Sequence, residues 1–140
     1  METTELIEIL HKDKCSCVIY NQGKTIRCHE RGVKDLLRIL KSAPELLAGS
    51  IIADKVVGKG AAALMILGGV RTVYANVISK PALDLLTAAS IPTSYGTCTS
   101  NIINRTGTGI CPVENLCKDC HTALECLPLI EKFVNELQDK

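Results

Sequence analysis

Three groups of residues in this 140-residue chain have the types and spacing to do chemistry. The first is Asp54-Lys55-Val56-Val57-Gly58-Lys59-Gly60, one carboxylate and two ammonium groups around two glycines, followed by Ala61-Ala62-Ala63. It predicts a glycine turn and then a small-residue helix with an open N-terminus. A helix start carries unpaired amide protons and a positive partial charge, and so holds anions. Lys55 and Lys59 are spaced by one helical turn and could both meet a ligand phosphate, with Asp54 orienting one of them or bonding a ligand hydroxyl. The plain alternative is that Asp54 caps the helix, the lysines are solvated, and the glycines and alanines only allow close packing.

The second group is Asn104-Arg105-Thr106-Gly107-Thr108-Gly109, hydroxyls and backbone amides shortly before a helix start. It reads as a second anion cradle. It is not a P-loop, since the Gly-Lys-Ser/Thr ending is absent. A plain flexible loop accounts for it equally well. Asn101, Asn104 and Arg105 would add polar contacts if this loop folds over the first site. The candidate ligand-binding residues are therefore Asp54, Lys55, Gly58, Lys59, Thr106, Gly107, Thr108 and Gly109.

The third group is Cys111-Pro112-Val113-Glu114. A thiol at a helix N-cap sits beside a positive dipole end, which makes it more acidic and more nucleophilic. Cys111 is thus the candidate nucleophile, and Glu114 either opposes the effect or serves as acid/base. A small buried residue beside a capping-box-like Glu is the plain alternative.

Downstream the cysteines run Cys111, Cys117, Cys120 and Cys126, with Cys98 upstream and His121 adjacent. An iron–sulfur or zinc site drawn from Cys98, Cys111, Cys117, Cys120 and Cys126 is an alternative, although a second Cys-x-x-Cys is missing. Cys117-Lys118-Asp119-Cys120-His121 also matches the c-type haem attachment pattern, with no export signal or second axial ligand to support it. Cys15, Cys17 and Cys28 alternate along two short runs and are most simply strand residues.

The elements that must position these groups follow from composition and periodicity. The hydrophobic share is 46% with only 3% aromatics and no Trp, so the core is aliphatic. Sixteen Lys and Arg against fifteen Asp and Glu leave no global field for nucleic acid or membranes. Three Tyr and one Phe offer little for stacking bases. The first residues are acidic rather than signal-like, and the longest apolar run, 60–70, is too short to span a bilayer. A cytoplasmic location is expected, where eight cysteines stay reduced, bind metal or react.

Leu6, Ile7, Ile9 and Leu10 predict a first helix capped by Thr3 or Thr4. Residues 15–20 and 24–28, joined through Asn21-Gln22-Gly23, predict a β-hairpin. A helix over 32–41 ends before Pro44. A short strand over 51–53 meets a polar break at Asp54-Lys55, and the helix after it stops at Gly68-Gly69. A buried strand over 70–78 precedes a helix capped by Ser79 with Pro81 in its first turn. Short strands are expected over 92–97 and 99–104. A helix opens at Cys111 with Leu116, Cys120, Ala123, Leu124 and Leu127 along one face, and Pro128 breaks or kinks it. The whole of 1–140 reads as one domain, an α/β three-layer α/β/α sandwich with a mixed sheet.

This order resembles the cytidine-deaminase-like fold, in which a β-hairpin precedes two strand–helix units. More specifically, Ala53-Asp54-Lys55-Val56-Val57-Gly58-Lys59-Gly60-Ala61-Ala62 and Cys111-Pro112-Val113-Glu114 resemble an uncharacterised bacterial and archaeal domain-of-unknown-function family. That family is assigned to the deaminase-like fold but lacks its zinc ligands. Zinc deaminases need His or Cys plus a catalytic Glu at one helix start and Pro-Cys-x-x-Cys at the next. The corresponding places here are Gly58-Lys59-Gly60-Ala61 and Lys80-Pro81-Ala82-Leu83-Asp84, which supply neither ligand set. A conventional zinc-dependent deaminase is therefore not expected.

The reading that follows is a small-molecule binding protein for a nucleotide-like or phosphorylated ligand, held between Asp54–Lys59 and the 106–111 loop. The alternatives are a cysteine-dependent enzyme using Cys111 as nucleophile, and a metal or redox module using the C-terminal cysteines. No nucleic acid, membrane or resident cofactor is expected, and a homo-oligomer is left open.

Overall fold

The computed structural model describes residues 3–29, 33–103 and 109–138. Helix α1 (Thr3–Lys12) leads into the hairpin β1 (Cys17–Asn21) and β2 (Lys24–Cys28). Gln22 and Gly23 both adopt positive φ, 49° and 82°, as a two-residue turn matched to the strand twist requires. Helix α2 (Lys34–Ser42) and a short 3-10 turn (Pro44–Leu46) follow, then the units β3 (Ile51–Val57) with α3 (Lys59–Gly68) and β4 (Thr72–Ser79) with α4 (Lys80–Ala88). Strand β5 (Thr93–Thr99), helix α5 (Pro112–Leu116) and helix α6 (Ala123–Gln138) complete the order.

The strands form one mixed sheet in the order β2-β1-β3-β4-β5. β1 is antiparallel to both β2 and β3, while β3, β4 and β5 run parallel. Alternation along the strands divides the core in two. Val18 and Ala53 face Leu6 and Leu10 of α1. Cys17, Ile19, Ile52 and Val73 face the larger cluster, which holds α3 through Ala62, Leu64 and Met65 and α6 through Ile130 and Val134. With no Trp and few aromatics, this core is closed by Leu, Ile, Val and Ala.

Helix ends follow the expected chemistry in two places. The Ser79 hydroxyl accepts from the Ala82 amide at 3.2 Å, with Pro81 in the first turn of α4. Gly69, at φ 76°, closes α3 and donates to the Met65 and Ile66 carbonyls.

Four expectations are corrected. β3 does not break at Asp54-Lys55 but continues to Val57, because Asp54 stays in register between Cys17 of β1 and Ala75 of β4. The helix opening after Cys111 is not continuous through 127. It stops at Leu116, and α6 starts afresh behind a capping box in which the Thr122 hydroxyl accepts from the Glu125 amide while Glu125 accepts from the Thr122 amide. Pro128 then neither ends nor divides α6, where it lies inside the helix and removes a single backbone bond. Residues 99–103 form no further strand beyond Thr99; an isolated bridge pairs Ile103 with Ile110, and Asn104 lies outside the described residues.

Candidate functional site

The C-terminal ends of β3 and β4 feed directly into the starts of α3 and α4, where α/β folds gather ligand-binding groups. A carboxylate occupies that place, and it comes from the chain itself. Glu114 of α5 is buried, at 3% exposure. One oxygen accepts from the Lys59 backbone amide at 3.3 Å and from the Ser79 hydroxyl at 2.9 Å. The other accepts from the Ile102 amide at 3.2 Å. Glu114 thus touches the first residue of α3 and the capping residue of α4 together. Gly58, the N-cap of α3, brings no side chain to the cap, and a Cβ placed there would stand 2.8 Å from Glu114 Oε2. The glycine turn is needed for this close approach, and the anion it admits is internal.

The two lysines of the first group part company. Lys55 lies inside β3, where its amide donates to the Ser16 carbonyl at 3.0 Å, so no helical turn relates it to Lys59. Lys59 opens α3 with its side chain buried at 7% exposure. Its ammonium donates to the Lys118 carbonyl at 3.3 Å and to the Cys120 carbonyl. It therefore stitches the segment between α5 and α6 to the start of α3, which is also why that segment departs from a continuous helix.

Asp54 caps nothing in α3. Its carboxylate accepts from the Val56 amide at 3.2 Å, within β3. Burial pushes its pKa from 3.8 to about 7, against the lowering effect of bonds from the Val56 and Lys55 amides and the Cys17 thiol. Cys17 and Cys28 stand opposite each other across the hairpin and share a hydrogen bond. That bond, with burial and the nearby Asp54, holds the Cys17 thiol well above its ordinary value, and it draws Cys28 down.

Cys111 sits at the N-cap of α5, as expected, with Pro112 next and Glu114 following. The pairing of thiol and carboxylate is not formed: Glu114 spends both oxygens on Lys59, Ser79 and Ile102. Among the loop residues of the second group, Gly109 is described, whereas Thr106, Gly107 and Thr108 lie outside the described residues, as do Asn104 and Arg105.

The cysteines split likewise. Cys98 is exposed on β5, and Cys111 is half-buried. Cys117 at the end of α5 and Cys126 in α6 are buried and Cys120 between the two helices is half-buried, with the Cys126 thiol donating to the Thr122 carbonyl at 3.5 Å. Among the described residues, no group of three or more His, Cys, Asp or Glu side chains is arranged to hold a metal ion. Two surface clefts lie away from the helix starts, one between α1 and β2 beside Ile9 and Arg27, the other between α2 and α6 beside Leu37 and Val134.

Sequence reasoning placed Glu114 beside Cys111 and missed its role as the acceptor for the first amide of α3, bonded also to Ser79, the cap of α4. The sequence carries a trace of it: Gly58 offers no capping side chain where Ser79 does, so α3 must find an acceptor elsewhere.

Fold and site together define an α/β protein with a mixed five-stranded sheet, in which a buried carboxylate from a later helix closes the starts of two crossover helices. The chain belongs to the TM1506 family, a domain of unknown function (DUF1893), which it matches over residues 5–134. It is similar to the crystal structure of a DUF1893 family protein (TM1506) from Thermotoga maritima. The likeness has a TM-score of 0.85 and 27% sequence identity, and covers 94% of this chain and 91% of that one. No curated protein matches. No helix among the described residues is long and apolar enough to cross a membrane.

Proposed function

We propose that this protein is a small-molecule binding protein built on a deaminase-like three-layer scaffold, with an anion seat in place of hydrolytic chemistry. The hairpin preceding two strand–helix units supports the scaffold reading. The observation that carries the binding reading is the Glu114 carboxylate, held by the Lys59 amide, the Ser79 hydroxyl and the Ile102 amide at the starts of α3 and α4. Those donors form a pocket for a negatively charged oxygen, and α5 fills it in the unliganded chain. A nucleotide-like or phosphorylated ligand would bring a stronger acceptor to the same donors, with α5 moving aside. Lys59 contributes its backbone amide rather than its ammonium, which is committed to the Lys118 and Cys120 carbonyls.

A thermal-shift panel of nucleotides and phosphorylated metabolites, paired with native mass spectrometry of the purified protein, tests this reading. A ligand should raise the melting temperature by several degrees at a hundredfold excess over its Kd, from the linkage of binding to folding. Ser79→Ala, which removes the hydroxyl donor, should weaken that shift. No shift and no co-purified mass across the panel, with the fold intact, would overturn the reading.

A further inference from the structure

The sheet has two edges, and they are built differently. β2, at one edge, is five residues long and carries Lys24 and Arg27, with Arg27 paired to Asp13 at 2.8 Å. Charge and short length are the usual guards of a sheet edge against pairing with another chain. β5, at the other edge, runs seven residues, Thr93-Ser94-Tyr95-Gly96-Thr97-Cys98-Thr99, without a Lys, Arg, Asp, Glu or Pro. Ser94 through Cys98 are exposed in succession, so both faces of the strand are open as well as its edge.

The backbone of β5 is paired on one side, by β4. At the entry to the strand the Val73 amide donates to the Pro92 carbonyl at 3.1 Å. Backbone groups alternate in direction along a strand, so those of Pro92 and Ser94 turn toward β4 and those of Thr93 and Tyr95 turn outward. Among the described residues no backbone partner meets them there. Tyr95 is exposed on the strand, and Ile103 and Ile110, bridged to each other shortly past its end, are exposed too.

We propose that β5 is the interface of a symmetric homodimer, in which two copies of this chain pair their β5 strands antiparallel about a two-fold axis near Gly96. The pairing joins the two five-stranded sheets into a continuous one and gives the outward amides and carbonyls of each edge their partners. Charge favours a second copy as the occupant. The strand carries no charged side chain, so pairing it with itself sets no like charges opposite each other. Sixteen basic and fifteen acidic residues leave the chain almost neutral, so no net field keeps two copies apart. The hydroxyl, thiol and glycine positions around Tyr95 let a partner strand approach closely, and the antiparallel arrangement brings the exposed Ile103 and Ile110 of one copy toward the Pro92 end of the other. A seven-residue edge makes a small interface, so the dimer is of the weak class and forms at roughly 100 µM protein.

Sedimentation velocity of the full chain, across a wide concentration range centred on that value, should follow a monomer–dimer equilibrium. Tyr95→Lys with Thr97→Lys places charges on both sides of the axis. It should weaken the dimer roughly tenfold or more and leave the circular dichroism of the monomer unchanged. Cys98 is exposed and two residues from Gly96, about 7 Å along the strand from the axis, so a short bis-maleimide should join the two copies through it. Cys98→Ser should lose that link. A monomer at every concentration would overturn the proposal, as would a dimer that the double lysine variant leaves at full strength. Should that variant fail to fold, the cross-link decides: a dimer linked through Cys98 supports the interface, and one whose link survives Cys98→Ser rejects it.

Discussion

The carboxylate of Glu114 in α5 accepts a hydrogen bond from the backbone amide of Lys59 in α3, across 55 residues of sequence. Helix starts are ordinarily capped by a side chain one to three residues away. Here the N-cap is Gly58, and the acceptor arrives from a later helix that also reaches Ser79. One carboxylate therefore ties α5 to both strand–helix units, and α3 cannot keep its first turn satisfied unless α5 docks.

That contact sets the first expectation. Glu114→Gln keeps the length but turns one acceptor oxygen into a donor facing backbone donors. It should cost about 2–4 kcal/mol, the worth of charge-assisted bonds plus an unsatisfied group. Urea unfolding measures it, and a loss under about 0.5 kcal/mol would show that the seat does not depend on the charge.

Gly60 tests the packing beside it. A Cβ added at this position would run into Val113 of α5, with Ile130 of α6 at 3.6 Å behind it. Gly60→Ala would gain helix propensity on α3 but should still destabilise the protein by about 1–3 kcal/mol through overpacking. A neutral or stabilising result in denaturant would mean that α5 shifts without penalty.

Asp54 gives a dependence on pH. Its folded value of about 7 lies above the ordinary 3.8, so the native state holds the extra proton between these limits. Its contribution to stability is therefore full below about pH 4 and is lost as pH rises toward 7. Asp54→Asn keeps an acceptor for the Val56 amide and removes the charge. The variant should show a flatter stability profile over that window and a higher melting temperature than wild type above pH 7. Parallel profiles for the two proteins would refute the assignment.

The start of α6 is secured locally. Thr122→Ala removes the hydroxyl that accepts from the Glu125 amide and should cost about 1 kcal/mol, as other N-cap deletions do. Thermal melts followed by circular dichroism would read it as a drop of a few degrees, with the α3 end of the molecule unchanged.

By itself, the sequence determined the local features: the hairpin at Gln22-Gly23, the αL exit at Gly69 and the Ser79 cap of α4 with Pro81 beside it. Each depends on the conformational range or hydrogen-bonding reach of residues a few positions apart, which composition and spacing reveal. The Thr122–Glu125 capping box was equally legible but was hidden by an apolar pattern that ran through it from Leu116 to Leu127.

What only the tertiary structure decided are the long-range partners. Lys55 and Lys59 look like one helical turn until strand pairing carries β3 through Asp54 to Val57. Lys59 looks like a free ligand-binding cation until its ammonium is found on the carbonyls of Lys118 and Cys120. Glu114 looks like a partner for Cys111 until folding brings it to Lys59, Ser79 and Ile102. A buried charge takes the donors or acceptors that packing puts within reach, and which ones those are depends on how strands and helices far apart in the chain come together.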